Sequence, residues 1–506
     1  MTVGGKLKSS IKITQKGSDA GIGSEVGFDA ALKPGLDAQT TRLVYSMNIA
    51  SGLVTIADAL ILLGTGFGIF WYYVGLGSPI FLDYALAMVL VTTTVVVAFS
   101  QANLYSVETI CNPKGHMHKI LGIGAVTFLS FLAIAFALKI VGDFSRVWVF
   151  SWFLLSCLLI FLERSLCRFL FWRWAHMGRV SHKIVIVGAG EQAKKFLEQM
   201  QSAKEPWLEV AGVFDDRKER IGPSFMGYQI LGTVDDLLCY ARKHRVDDIV
   251  ISLPWNAYHR ILDLTKKLGE LPIHIRLGSD LAGFVHLFPS FSFISGVPML
   301  HLVNKPLDGW TYVWKMIEDK ILGLLILALL SPILLIIALA IKLESPGPVF
   351  FRQKRYGFNN NEFMIYKFRS MYHGRPPEKG VPQATKTDPR ITRVGAFLRR
   401  TSLDELPQLF NVLNGTMSVV GPRPHAVEHN EEYSRIINGY FARHRVKPGI
   451  TGWAQVNGWR GETEVPEKMR ARVEHDIYYI ENWSLLFDAK ILAMTASVVA
   501  SQKNAY

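Results

Sequence analysis

The chain has 506 residues, 50% hydrophobic and 19% charged, with a mean hydropathy of +0.22. That is too apolar for an ordinary soluble protein and too charged for one lying wholly in a bilayer, so an integral membrane protein with sizeable soluble parts is expected. A formal charge of +13 without a helix-turn-helix, zinc-finger or RNA-recognition pattern argues against nucleic acid and for lipid headgroups and phosphorylated substrates. Cys111, Cys157, Cys167 and Cys239 lie far apart and form neither a metal-ligand spacing nor a disulfide framework, which suits a reducing compartment.

Residues 1–42 are rich in Gly, Ser, Lys and Asp and lack a signal-peptide core, so a disordered cytoplasmic tail is expected. Apolar runs at 43–73, 80–102, 120–140 and 147–171 each supply the roughly 20 residues that span a bilayer core, predicting a four-helix transmembrane domain over 43–178. The first connection, 74–79, carries no Lys or Arg. The next carries Lys114 and Lys119, and the segment after the fourth run is read as holding Arg164, Arg168, Arg173, Arg179 and Lys183, so both ends of this domain are expected to face the cytoplasm. Asp58 and Asp83 fall within or at the edge of apolar runs, marking either an intramembrane functional site or an interhelical or interfacial position.

Lys183 to Val187 reads as a buried strand running into Gly188-Ala189-Gly190 and a helix-like stretch, the layout of a Rossmann fingerprint. Asp215-Asp216 closes a second apolar run about where a ribose-binding carboxylate would lie. With further strand patterns at 248–253 and 273–277, a cytoplasmic Rossmann-like α/β domain is predicted over 182–305. Gly188, Gly190 and Asp215 are candidate nucleotide-binding residues, although such a turn also serves simply to pack a helix close to a sheet.

The segment 321–341 carries no charge, yet Ser331-Pro332 stands at its middle, where proline removes a helical hydrogen bond and favours a bend. A full crossing here would carry everything after Lys342 away from nucleotide-activated substrates; a re-entrant helix keeps both soluble domains on one face. From Phe351 to Leu403 twelve Lys/Arg face three Asp/Glu. Strand alternation puts Lys367 and Arg369 on one face, as a diphosphate requires of its cations. Asp404-Glu405 follows Arg399-Arg400, and Pro407 predicts a helix from about Asp404 to Leu413, with Asp404 at its positive end. A carboxylate attacking phosphorus gives an acyl phosphate, and a neighbouring carboxylate such as Glu405 suits Mg²⁺ shared with phosphate oxygens.

Five ordered motifs, Glu344-Ser345-Pro346-Gly347-Pro348, Tyr366-Lys367-Phe368-Arg369-Ser370, Ser402-Leu403-Asp404-Glu405-Leu406-Pro407, Gly421-Pro422-Arg423-Pro424 and Lys447-Pro448-Gly449-Ile450-Thr451-Gly452, carry a specific resemblance over about 314–506. This part resembles the bacterial sugar transferases, the polyprenyl-phosphate phosphoglycosyl transferases. The whole chain is similar to their long form, the undecaprenyl-phosphate glucose or galactose phosphotransferases. The resemblance implies transfer of hexose 1-phosphate from a UDP-hexose to undecaprenyl phosphate, in exopolysaccharide or capsule assembly at the bacterial plasma membrane. It places the nucleophile at Asp404, a Mg²⁺ ligand at Glu405, phosphate-binding arginines at Arg399 and Arg423, a basic position at Lys367 and Arg369, a further acidic position at Asp476, and the re-entrant break at Ser331 and Pro332. A homodimer is expected because four short helices present several faces that must pack on something. Two other readings stay open from the residues: a membrane-anchored NAD(P)-dependent enzyme centred on 188–193, and a non-catalytic membrane sensor.

Overall fold

The computed structural model describes residues 47–501 except 76–78, 107–108, 111–114, 177–180, 204, 206, 218–221, 279–290, 375–387 and 460–465. The tail expected over 1–42, Cys111, Lys114 and Arg179 lie outside the described residues. Four long apolar helices come first: α1 (Met47–Tyr73), α2 (Phe81–Gln101), α3 (Met117–Ala137) and α4 (Arg146–His176). Each is long and apolar enough to cross a membrane, as is one later helix. Their shared core is aromatic. Trp148 and Trp152 of α4 are fully buried and donate indole N–H bonds to the carbonyls of Gly66 (2.9 Å) and Leu62 (2.8 Å) on α1.

Asp58 pairs with Arg164 across α1 and α4 at 2.7 Å, both buried. Asp58 is thus the interhelical partner of an arginine, while Asp83 is exposed in the first turn of α2. Arg164, Arg168 and Arg173 correct part of the orientation argument: all three lie inside α4 and are not loop charges, and Arg164 is paired with Asp58.

The second domain is built from β1 (His182–Val187), α5 (Glu191–Ala203), β2 (Leu208–Phe214), β3 (Ser224–Phe225), β4 (Tyr228–Gly232), α6 (Val234–Lys243), β5 (Asp248–Ile251), α7 (Tyr258–Leu268), β6 (His274–Gly278), β7 (Phe291–Ile294) and β8 (Val297–Val303). The sheet order is β3-β4-β2-β1-β5-β6-β8-β7. Strands β4, β2, β1, β5 and β6 run parallel and the outer strands antiparallel, so the predicted Rossmann-like core is present with extra strands at both edges. Continuous apolar runs such as Ile184–Val187 are buried on both faces, as a parallel sheet covered by helices requires.

The third part comprises α8 (Gly309–Glu344), β9 (Phe350–Tyr356), β10 (Glu362–Phe368), α9 (Arg393–Thr401), α10 (Gln408–Asn414), β11 (Ser418–Val420), α11 (Val427–Ile436), β12 (Gly449–Thr451), α12 (Trp453–Val456), α13 (Pro466–Glu481) and α14 (Leu485–Ser501). Short 3₁₀ segments fall at Leu403–Glu405 and Tyr440–Arg445. Helix α8 has 36 residues and continues through Ser331 and Pro332, with the Ser331 hydroxyl donating to the Ala328 carbonyl at 2.8 Å. One face of α8 packs on this domain: Leu334, Ile337 and Ile341 are buried with Phe368 and Leu398. Away from that face the helix is apolar and exposed, at Leu325, Leu329, Leu335, Ile336 and Leu339.

Candidate active site

Helix α9 delivers the acidic pair. The Thr392 hydroxyl caps it by accepting from Gly395 N (2.9 Å), and Glu344 at the end of α8 accepts from Arg393 N (2.7 Å), fixing α9 to α8. It stops because Ser402 adopts a left-handed conformation (φ 57°), and the chain then makes one 3₁₀ turn through Asp404. This corrects the expected helix from Asp404. The α-helix begins only at Gln408, with Pro407 as its cap, and runs seven residues, so Asp404 does not occupy a helix N-terminus.

The turn aims Glu405 at β10. Asn411 on α10 locks the two elements in register: its side chain donates to Met364 O (2.8 Å) and accepts from Tyr366 N (3.0 Å). Lys367 Nζ then lies 2.8 Å from Glu405 Oε1. Arg423 completes a two-pronged clamp, with Nη2 2.6 Å from Oε1 and Nη1 3.0 Å from Oε2. Arg423 is placed by tight backbone packing: Gly421 N donates to Thr451 O (2.8 Å) and Gly449 N to Pro422 O (2.9 Å). A Cβ on Gly449 would overlap the backbone of Gly421, which accounts for glycine in both motifs.

The two carboxylates differ electrostatically. Burial pushes Asp404 up, and the Glu405 charge adds to this against Lys367, Arg423 and Arg399, leaving it at about 6. Burial also disfavours the Glu405 anion, yet Arg423 and Lys367 outweigh it and hold Glu405 well below the usual range. Glu405 is therefore held as the anion, and Asp404 is the more basic carboxylate of the two.

The sequence candidates separate. Asp404, Glu405, Lys367 and Arg423 converge, with Arg399 close enough to act on Asp404. Arg369 is not brought to the pair. Strand β10 ends at Phe368, and the buried Arg369 guanidinium donates to Ile341 O (3.3 Å), Ser345 O (2.7 Å) and Pro346 O (2.7 Å), tying off the end of α8. Asp476 stands one layer behind, paired with Arg443 at 2.7 Å, and burial raises it despite Arg443 and Arg472. Arg443 was not among the sequence candidates; a partner 33 residues away on α13 leaves no local signal.

His425 and His444 are buried beside this layer and held far below the ordinary histidine range, His444 at about 3, by burial first and Arg443 next. Both stay neutral when folded but protonate in the unfolded chain below about 6.5, so their stabilisation is complete above that pH and is lost as pH falls. His444 alone should weaken folding by about 2 kcal/mol at pH 5. We expect the melting temperature in detergent to fall between pH 7 and 5, and His444→Gln to flatten that fall; an equal slope would remove His444 from this account.

In the Rossmann-like domain Gly188 has φ 98°, and a Cβ there would lie 2.9 Å from Leu253 and 3.1 Å from Ser252 O, so its glycine serves close packing. A Cβ on Gly190 would make only an ordinary contact, 3.7 Å from Gln192 Oε1. Asp215 is engaged internally: Oδ2 accepts from Ala189 N (2.8 Å) and Arg217 Nη2 (2.8 Å), and Oδ1 from Arg217 N (2.8 Å). Glu191 in the first turn of α5 adds a negative charge where a diphosphate would sit. In this structure Asp215 is thus tied to the Ala189 backbone and to Arg217.

The bacterial sugar transferase family model matches residues 310–502, and a CoA-binding domain model matches 100–278. A UDP-glucose:undecaprenyl-phosphate glucose-1-phosphate transferase of Xanthomonas campestris pv. campestris is 40% identical over 401 residues, 78% of this chain and 82% of its own. Its namesake in Klebsiella pneumoniae is 43% identical over 409 residues, 79% and 84% of the two chains. An undecaprenyl-phosphate galactose phosphotransferase of Salmonella typhimurium is 31% identical over 390 residues, 72% and 77%. With the acidic pair and its cations converging inside the matched region, the chain belongs to the bacterial sugar transferase family, in the long form that carries a membrane domain and a second α/β domain ahead of the transferase.

Proposed function

We propose that this chain transfers glucose 1-phosphate from UDP-glucose to undecaprenyl phosphate, releasing UMP and giving undecaprenyl diphosphate-glucose for exopolysaccharide or capsule repeat assembly. The observation that carries the reading is the asymmetric pair: Glu405 is clamped by Lys367 and Arg423, while partly buried Asp404 keeps an accessible, more basic carboxylate beside the same cations. Asp404 attacks the sugar-linked phosphorus; the bond to the UMP oxygen breaks, and the oxygen leaves with the electron pair. A lipid phosphate oxygen then attacks the same phosphorus and the acyl phosphate bond breaks, returning Asp404 as a carboxylate. Lys367, Arg399 and Arg423 offset charge on the phosphoryl oxygens.

Mg²⁺ fits Asp404, whose carboxylate keeps access to solvent and is the hard donor this ion selects; both Glu405 oxygens already accept from Lys367 and Arg423, so Glu405 would join only by giving up one of those bonds. Among the described residues no three His, Cys, Asp or Glu side chains converge, so the ion would be shared between one or two carboxylates, water and substrate phosphates. When bound, it would neutralise charge that repels an anionic nucleophile from a diphosphate. Chelation with EDTA should lower UMP formation at least ~100-fold, and added Mg²⁺ should restore it; undiminished turnover in EDTA would dismiss the ion.

Helix α8 supports a re-entrant course. Near its start Lys315 pairs with Asp488 of α14 and Asp319 accepts from the Ser418 hydroxyl (2.8 Å); at its end Glu344 holds α9. Both ends of α8 thus rest on one soluble domain, which a helix passing from one side of a bilayer to the other would not allow. Its exposed apolar face enters the lipid from the cytoplasmic side, and both soluble domains stay with the UDP-sugar. The reading is tested on purified protein in nanodiscs with Mg²⁺ and undecaprenyl phosphate. UDP-glucose should give UMP and lipid-linked hexose, with UDP-galactose a weaker donor; neither product from any UDP-hexose, in folded protein, would refute it.

A further inference from the structure

Three consecutive side chains leave the Tyr440–Arg445 segment for three different places. Arg443, 1% exposed, points inward: its guanidinium donates to the Arg423 carbonyl at 2.8 Å, pairs with Asp476 at 2.7 Å and meets His425 Nδ1 at 2.6 Å. His444 Nδ1 lies 2.5 Å from Asn360 Oδ1 in the turn between β9 and β10. Arg445 points outward, into the Rossmann-like domain, where it donates to Asn304 O just after β8 at 2.7 Å.

The Rossmann-like domain touches the same ledge at one more point and the adjoining turn between β9 and β10 at another. Arg242, in the last turn of α6, stands 5.4 Å from the ring of Phe441, a cation–π contact. Asn359 donates to Ala241 O on α6 at 3.4 Å, next to the Asn360 that His444 touches. A short 3₁₀ segment has little hydrogen bonding of its own to fix its position, so its outside contacts set that position. A buried guanidinium whose donors are committed to Asp476, His425 and a carbonyl cannot follow a moved backbone without breaking some of those bonds.

We propose that the Rossmann-like domain is a buttress of the active site. Docked on Tyr440–Arg445, it fixes Arg443, and Arg443 is the positioning residue that holds the Arg423 backbone, and with it the clamp on Glu405. This gives the domain a role that needs no bound nucleotide. The kinetic part rests on the glucose-1-phosphate transferase reading above; the structural link does not.

The test uses the full-length protein in nanodiscs with three variants outside the catalytic set: Arg443→Lys, Arg445→Gln and Arg242→Ala. Single-turnover UMP release from UDP-glucose without lipid acceptor gives a rate constant and an amplitude. The rate constant should fall at least tenfold in Arg443→Lys and about three- to tenfold in each docking variant, with half-saturating UDP-glucose raised and amplitude retained. Wild-type rate constants with lowered amplitude would mean only fewer folded molecules, and would overturn the proposal. So would a slow Arg443→Lys beside docking variants of wild-type rate. Hydrogen–deuterium exchange over residues 421–426 reads the link without any donor: protection there should drop at least tenfold in Arg445→Gln, and unchanged protection would overturn it even if UDP-glucose proved the wrong substrate.

Discussion

Asp404→Asn should reduce UMP release from UDP-glucose by at least ~10³-fold while leaving the protein folded. The amide has the shape of the carboxylate but no anionic oxygen to attack phosphorus. Its structural cost is small, because Asp404 is partly exposed and its neighbour Glu405 carries a like charge that already opposes its ionisation. Removing that repulsion should leave the melting temperature unchanged or slightly raised. Parallel measurement of UMP and melting separates the cases. A variant that keeps more than about a tenth of the wild-type rate would mean another group makes the first bond.

Glu405→Gln should behave differently, losing both activity and stability. Glu405 is buried and takes hydrogen bonds from two cations, Lys367 at 2.8 Å and Arg423 at 2.6 and 3.0 Å. A neutral amide leaves those cations without a counter-charge and turns an NH₂ towards one of them. Breaking a buried pair in this way costs roughly 3–5 kcal/mol, the lower end applying here because both cations keep some exposure to water. The expected result is a clear drop in melting temperature together with at least ~100-fold slower UMP release. If stability falls but the rate per folded molecule is unchanged, Glu405 serves the fold and not the reaction.

Arg369→Met offers a contrast. Its guanidinium binds the carbonyls at the end of α8 and Gly347 is packed so closely that a Cβ would overlap it, so the loss should appear as lower thermal stability with the rate per folded molecule within about threefold of wild type. A normal melting curve with a large loss of rate would return Arg369 to the donor site.

The difference between Arg369 and Lys367 shows what could be read from the residues. Alternation assigns both to one face of a strand, and that logic holds for Lys367, which reaches Glu405. It cannot tell that the strand stops at Phe368 and that the backbone then turns Arg369 towards Ser345. Asp404 and Glu405 stand out in the sequence as adjacent carboxylates close behind paired arginines, but taken alone they read equally as a helix cap, and their roles are assigned only by the family resemblance. Their local geometry was not legible, since the left-handed Ser402 is not a glycine and gives no warning that α9 ends there. Pro407 suits a first helical turn, yet the 3₁₀ turn ends before it at Leu406 and Pro407 itself caps the helix that starts at Gln408.

Pairings across long sequence separations were the other blind spot. Arg164 counts as a topology signal in a linear reading, but its partner Asp58 lies 106 positions away on α1. The Arg443 and Asp476 pair, which supports Arg423 from behind, is hidden for the same reason. The Rossmann-like sheet, by contrast, follows from short buried apolar runs alternating with amphipathic helices, and its strands fall within a few residues of those runs.

The most direct test of the two-step account is the mass of the protein itself. Incubated with Mg²⁺ and UDP-glucose and no lipid acceptor, the protein should gain one hexose phosphate, located on the peptide containing Asp404 and discharged when undecaprenyl phosphate is added. UMP and lipid-linked sugar formed with no adduct at any time, or an adduct on another residue, would contradict Asp404 as the covalent carrier.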